Sequence, residues 1–129
     1  MQLSLIHISA HPGGVSHDVN GPLAMADSLA KLDQSRIANG VILNWKFTPD
    51  TLSGEAGLDN FMNLMRGYFK HGGMQSQFNV TCREVLEAAR EKPKDYKDLM
   101  VRVAGYSAFF TELSPELQSD LINRTELSF

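Results

Sequence analysis

Few residue types in this chain stand in positions that could carry chemistry, and the first is a glycine. Gly105 lies in the run Arg102-Val103-Ala104-Gly105-Tyr106-Ser107-Ala108-Phe109-Phe110, one glycine among bulky residues near the C-terminus. Inside a strand or helix a glycine costs about 0.5–1 kcal/mol relative to alanine, so a buried run such as Leu99 to Phe110 keeps one only where something needs it. On composition alone the favoured reading is a strand ending in a turn, with Gly105 supplying a positive φ or letting another backbone approach closely. The second candidate is Cys82, the only cysteine. It can form no intramolecular disulfide, which fits a reducing compartment. The third is the pair His7 and His11, whose i, i+4 spacing would suit a metal ion on a helix, but Pro12-Gly13-Gly14 argues against a helix there. His17 and His71 are dispersed, so no metal site is expected.

The string around Gly105 does not stand alone. Arg102-Val103-Ala104-Gly105-Tyr106 is followed by a short hydrophobic stretch, then by Ser114-Pro115 and Ile122-Asn123-Arg124-Thr125. This succession resembles the C-terminal signature of the glycyl radical enzymes. Upstream blocks keep the family order: Gly21-Pro22-Leu23-Ala24, Ser28-Leu29-Ala30-Lys31-Leu32, Asn39-Gly40, Leu43-Asn44-Trp45-Lys46-Phe47 and Gln77-Phe78-Asn79-Val80. The resemblance runs from residue 10 to the end. Val103-Ala104-Gly105-Tyr106-Ser107 is more similar to the dehydratase, lyase and decarboxylase branch than to pyruvate formate-lyase.

The resemblance implies that Gly105 is the catalytic residue and stores an organic radical, which is itself the cofactor. Losing one α-hydrogen leaves a carbon flanked by an electron-donating amide nitrogen and an electron-withdrawing carbonyl, and both delocalise the spin when the backbone flattens. Only glycine flattens without side-chain strain. Arg102, Val103, Tyr106 and Ser107 are then expected to support the loop, while Val103, Tyr106, Phe109 and Phe110 suit a water-excluding enclosure. The implied partner is an activating enzyme that uses S-adenosylmethionine and an iron–sulfur cluster to abstract the hydrogen. No dissociable cofactor is expected in this chain. Family members relay the radical to a cysteine on a separate upstream loop, whereas Cys82 follows Phe78-Asn79-Val80-Thr81 at the start of an expected helix and reads as structural.

The implied fold is the C-terminal portion of a ten-stranded α/β barrel with the glycine loop buried inside. The favoured reading is a piece of an anaerobic lyase or dehydratase, homodimeric when whole, acting on a small-molecule substrate such as a diol, choline, hydroxyproline or an arylacetate. Two other readings stay open: a stand-alone radical carrier that repairs an oxygen-damaged pyruvate formate-lyase-like enzyme, and an ordinary α/β domain whose glycine only makes a turn. Residues 1–9 do not match the family's pattern and fit a vector, fusion or assembly remnant. The glycine-radical domain is accordingly expected over residues 10–129.

Composition sets outer bounds. A chain of 129 residues with 43% hydrophobic content can bury one core of single-domain size. A net charge of -3, with Lys and Arg scattered, offers no basic field for nucleic acid. No apolar run reaches the roughly 18 residues of a membrane helix, so a soluble cytoplasmic protein is expected.

The elements that must position Gly105 alternate. Pro22 opens a helix to about Leu32, ended by Asn39-Gly40, and a strand follows over Val41 to Phe47. Leu58, Phe61, Met62, Met65 and Tyr68 recur at helical spacing, predicting a helix that packs one face on a sheet and stops at Gly72-Gly73. Met74 to Val80 reads as a second strand. Thr81-Cys82-Arg83-Glu84 reads as a capping box before a helix closed by Pro93. Leu99 to Ala104 reads as a third strand leading into the Gly105 loop, and Ser114 is expected to cap a last helix with Pro115 at its first position. Strands alternating with helices favour parallel pairing, and three strands are too few to close a barrel. This piece alone is expected to expose apolar surface.

Overall fold

The computed structural model describes residues 7–9, 20–37, 42–124 and 126–129. His11, His17 and Asn39-Gly40 lie outside the described residues, and so does the expected boundary between leader and domain except for residues 7–9. Strands β1 (His7–Ser9), β2 (Ile42–Phe47) and β3 (Ser76–Val80) form a parallel sheet in that spatial order. The crossover from β1 to β2 contains helix α1 (Gly21–Ala30), and that from β2 to β3 contains helix α2 (Gly54–Lys70). Helix α3 (Arg83–Glu91) leads to a hairpin of strands β4 (Met100–Arg102) and β5 (Ser107–Phe109), and helix α4 (Pro115–Asn123) follows. The expected α/β alternation is present. Among the described residues the parallel sheet is open and three strands wide, too few to close a barrel by itself.

The period-two alternation of β2 and β3 builds a sheet with two unlike faces. Leu43, Trp45 and Phe47 point one way, into a core with Met25, Ala26 and Leu29 of α1 and Leu64 and Tyr68 of α2. Aromatic contacts knit that core: Trp45 meets Tyr68 edge-on at 6.1 Å between ring centroids, and Phe61 meets Phe78 at 5.1 Å. The opposite face is polar. Asn44 pairs in register with Gln77 and Lys46 with Asn79, and all four side chains are buried. Parallel sheets are ordinarily covered on both faces, and here the polar face is covered by the hairpin and the C-terminal segment.

A second core joins the hairpin to the last two helices: Leu86 and Ala89 of α3, Val101, Val103 and Phe110 around the hairpin, and Leu121 and Ile122 of α4. Helix α4 begins as the sequence predicts, with Ser114 Oγ accepting from the Leu117 N–H at 3.4 Å and Pro115 in the first turn. Helix α2 ends at Gly72-Gly73 for a clear reason. Gly72 has φ +98, and its N–H and that of Gly73 donate back to the Phe69 and Tyr68 carbonyls. Those bonds form the paired C-terminal closure that glycine permits.

Three local expectations need correction. The third strand does not join the parallel sheet: only Met100–Arg102 is extended, and it pairs antiparallel with Ser107–Phe109. A two-residue turn reverses the chain, and such a turn can join only antiparallel strands. The inward face of α2 is carried by Phe61, Leu64, Met65 and Tyr68, while Leu58 and Met62 are exposed. The capping box is also absent. Cys82 is the N-cap without a side-chain bond, and the Arg83 N–H is instead taken by the Glu126 carboxylate from the far end of the chain.

Lys46 fastens that far end. Its Nζ donates to the Ile122 carbonyl at 3.2 Å and the Arg124 carbonyl at 3.4 Å, and pairs with Glu126 at 3.2 Å. Burial pushes the Lys46 ammonium below its ordinary pKa, and Glu126 pulls it partly back. The unfolded chain therefore holds this proton more tightly. Stability should rise with pH through the window below the ordinary lysine value of about 10.4. Tyr68 acts oppositely above about pH 10, because burial raises its phenol pKa and the folded state keeps a proton the unfolded chain has lost. The urea midpoint of Lys46→Met should accordingly lack the wild-type rise as pH climbs toward about 10; an unchanged rise would refute it.

Candidate functional site

The turn that carries Gly105 is defined by its closing bond. The Val103 N–H donates to the Tyr106 carbonyl at 2.9 Å, continuing the Arg102↔Ser107 register and leaving Ala104 and Gly105 as the turn residues. Gly105 has φ +76, a left-handed conformation costly for any residue with a Cβ. A Cβ placed there would meet only the Ile42 Cδ1, at 3.8 Å. Space is therefore not what excludes a side chain.

The polar face of the sheet grips this hairpin at three backbone points, and Arg124 takes a fourth. Asn79 Oδ1 accepts from the Arg102 N–H at 2.7 Å and its Nδ2 donates to the Arg102 carbonyl at 2.7 Å, so one side-chain amide takes the place of a strand partner. Gln77 Oε1 accepts from the Gly105 N–H at 3.1 Å and from Arg102 Nε at 3.0 Å. Arg124 Nη2 donates to the Val103 carbonyl at 3.0 Å, and Asp120 holds the same guanidinium at 2.9 Å. Gln77 Nε2 in turn donates to Asn44 Oδ1. Amide orientation follows from chemistry, since two N–H donors face Gln77 and only its oxygen can receive them.

The expected loop-support residues divide by position. Arg102 is the hub, with its backbone held by Asn79 and its side chain bridging Gln77 and, at 3.2 Å, the Ser107 Oγ. Val103 is buried in the second core, as is Phe110. Tyr106 is 49% exposed, and Gly105 and Ser107 are exposed too. Among the described residues the outer side of the turn is open; the burial expected of the loop belongs to the whole barrel, of which this chain is expected to be a portion. Cys82 sits half-buried at the start of α3, and no hydrogen bond among the described residues joins it to the turn.

Gln77, Asn79 and Arg124 are the positioning residues that sequence reasoning did not single out. In the sequence they stand only as members of the blocks Gln77-Phe78-Asn79-Val80 and Ile122-Asn123-Arg124-Thr125 that carry the resemblance, with no role of their own. A polar alternation is ordinarily a solvated face, and nothing local links it to a turn more than twenty residues away.

What this site can do chemically is limited and specific. It presents an α-carbon without a side chain at the tip of a hairpin, with the preceding peptide plane pinned by a buried acceptor. Among the described residues no hydrogen bond sets a nucleophile against a base at the turn. The flanking groups are an amide nitrogen and a carbonyl, which stabilise a radical on the carbon between them.

Comparison with known proteins agrees with that chemistry. A family described as "Glycine radical" matches residues 8–111, a span that includes Gly105. The chain is 46% identical over 119 residues to (2S)-3-sulfopropanediol dehydratase of Klebsiella oxytoca, covering 92% of this chain and 14% of that protein. It is 49% identical over 122 residues to trans-4-hydroxy-L-proline dehydratase of Clostridioides difficile, covering 95% of this chain and 15% of that one. The glycerol-bound B12-independent glycerol dehydratase of Clostridium butyricum superposes with a TM-score of 0.84 at 46% identity, over 87% of this chain and 14% of that structure. The chain therefore spans about one seventh of the length of the relatives it matches.

Proposed function

The chain belongs to the glycine radical family, and from that premise we propose that Gly105 is the radical-bearing residue of an anaerobic cytoplasmic lyase or dehydratase. The observation that carries this reading is the Gly105 turn itself: a left-handed glycine where a Cβ would have room, its N–H taken by the buried Gln77 amide while Asn79 and Arg124 hold the backbone on the N-terminal side of the turn. An ordinary turn glycine needs no such grip. The activating enzyme takes one α-hydrogen together with its electron, leaving the unpaired electron on the Gly105 α-carbon. The relay then runs to a cysteine outside this chain. Its thiol hydrogen returns to Gly105, which regains two α-hydrogens, and the thiyl radical left behind abstracts hydrogen from the substrate.

The exposed side of the turn and the exposed Leu58, Met62, Phe69, Val80 and Met100 support a covering surface supplied by the remainder of a larger enzyme. Such enclosure would exclude water and oxygen from the radical. Arg102, Val103, Tyr106 and Ser107 hold the loop, with Tyr106 turned toward the covering surface. The domain is placed over residues 10–129, with the strand His7–Ser9 paired onto its sheet. The dehydratase relatives favour elimination from a small hydroxylated substrate.

Counting hydrogens gives the test. A radical on Gly105 retains one α-hydrogen, so anaerobic activation by a radical S-adenosylmethionine enzyme should produce an electron paramagnetic resonance doublet near the free-electron position. α-Deuterated glycine should collapse it to a single line. Oxygen should then cut the chain at Gly105, read by mass spectrometry. An intact chain and no doublet would identify Gly105 as a turn residue only.

A further inference from the structure

We infer that Gln77 is a positioning residue that stabilises the oxidised state of Gly105 more than the resting glycine, an inference that rests on the radical reading above. Its oxygen lies 3.1 Å from the Gly105 nitrogen, and Gln77 is 6% exposed, so water does not compete at the acceptor. When the α-hydrogen leaves, the amide nitrogen shares its lone pair with the half-filled orbital on the α-carbon. The nitrogen becomes electron-poor and its N–H a better donor. A hydrogen bond that is ordinary in the resting turn therefore strengthens in the radical, which is the differential interaction that shifts an equilibrium between two states.

The surroundings enforce this role. Gln77 cannot rotate its amide, because Asn44 Oδ1 takes the Nε2 proton while Arg102 Nε–H and Gly105 N–H both point at the oxygen. Arg102 is itself fixed through its backbone by Asn79 and through its guanidinium by Ser107. The acceptor stands on a rigid strand, and the group it meets lies at a turn that the same strand holds.

The test uses the full enzyme, activated anaerobically with 15N-labelled glycine, and reads the nitrogen hyperfine coupling and the anaerobic lifetime of the doublet. Gln77→Met keeps the side chain's length and removes the acceptor. It should change the coupling and shorten the lifetime by about five- to tenfold, the worth of one hydrogen bond. Gln77→Glu keeps an acceptor oxygen and should restore both. Gln34→Met removes an equally buried amide, bonded to Tyr68 and the Met74 N–H, away from the turn. It should leave both readouts unchanged. Should Gln77→Met fail to fold, Gln77→Asn withdraws the oxygen by one methylene and takes its place. Wild-type coupling and lifetime in the acceptor-less variant overturn the inference, as do equal shifts in Gln34→Met. No doublet in the unsubstituted enzyme would instead overturn the radical reading, and the role of Gln77 with it.

Discussion

Gly105→Ala gives no radical signal after anaerobic activation, while Gly54→Ala, assayed beside it, keeps the full doublet. The two glycines make a matched pair. Gly54 has φ +72 and Gly105 φ +76, and a Cβ would clash at neither, with nothing within 4 Å of one and only the Ile42 methyl at 3.8 Å from the other. Each alanine therefore carries the same backbone strain, about 1–2 kcal/mol. Stability should fall by a similar, tolerable amount in both. What differs is chemistry. At Gly105 the added methyl resists flattening of the α-carbon in a turn pinned by Gln77, so spin can no longer spread onto the flanking amides. Loss of the doublet in both variants would trace the effect to strain, and a doublet surviving in Gly105→Ala would place the radical elsewhere.

The scaffold was more legible in the sequence than the site. Gly72-Gly73 as a helix stop and Ser114-Pro115 as a helix start rest on bonds between near neighbours, and local pattern reports such bonds faithfully. The strand before Gly105 was misplaced because pairing direction depends on what lies across the turn. The inward face of α2 shifted because Leu58 and Met62 are as apolar as Leu64, and only the position of the sheet selects among them. At the site, Gly105 was legible through its neighbours in sequence. Its grip was not, since Gln77, Asn79 and Arg124 reach it by contacts spanning roughly twenty residues or more. Buried Asn44 and Lys46 carry the same lesson: polar alternation marks a face, and the fold decides whether that face meets water or a backbone.

Phe47→Ala should produce the largest loss of stability among single core substitutions, about 3–5 kcal/mol. The ring is fully buried where both ends of the chain's aromatic core meet, with Trp45, Phe61, Phe78 and Phe129 at 6.0, 5.9, 6.4 and 5.7 Å between centroids. Its backbone also receives the Thr81 N–H after β3, at 3.0 Å. Small domains have about 5–15 kcal/mol in total, so the urea midpoint should drop by about 2 M at an ordinary denaturant slope. Leu23→Ala, at a side chain 64% exposed, should stay within about 0.5 kcal/mol. The functional consequence separates scaffold from site. Phe47 anchors the apolar face of β2 and so holds Asn44 and Lys46 against the segments on the other side. Its loss should lower radical yield only as far as it lowers the folded population. The radicals that do form should keep the wild-type nitrogen coupling and lifetime, because the Gln77 oxygen still faces the Gly105 N–H in every molecule that folds.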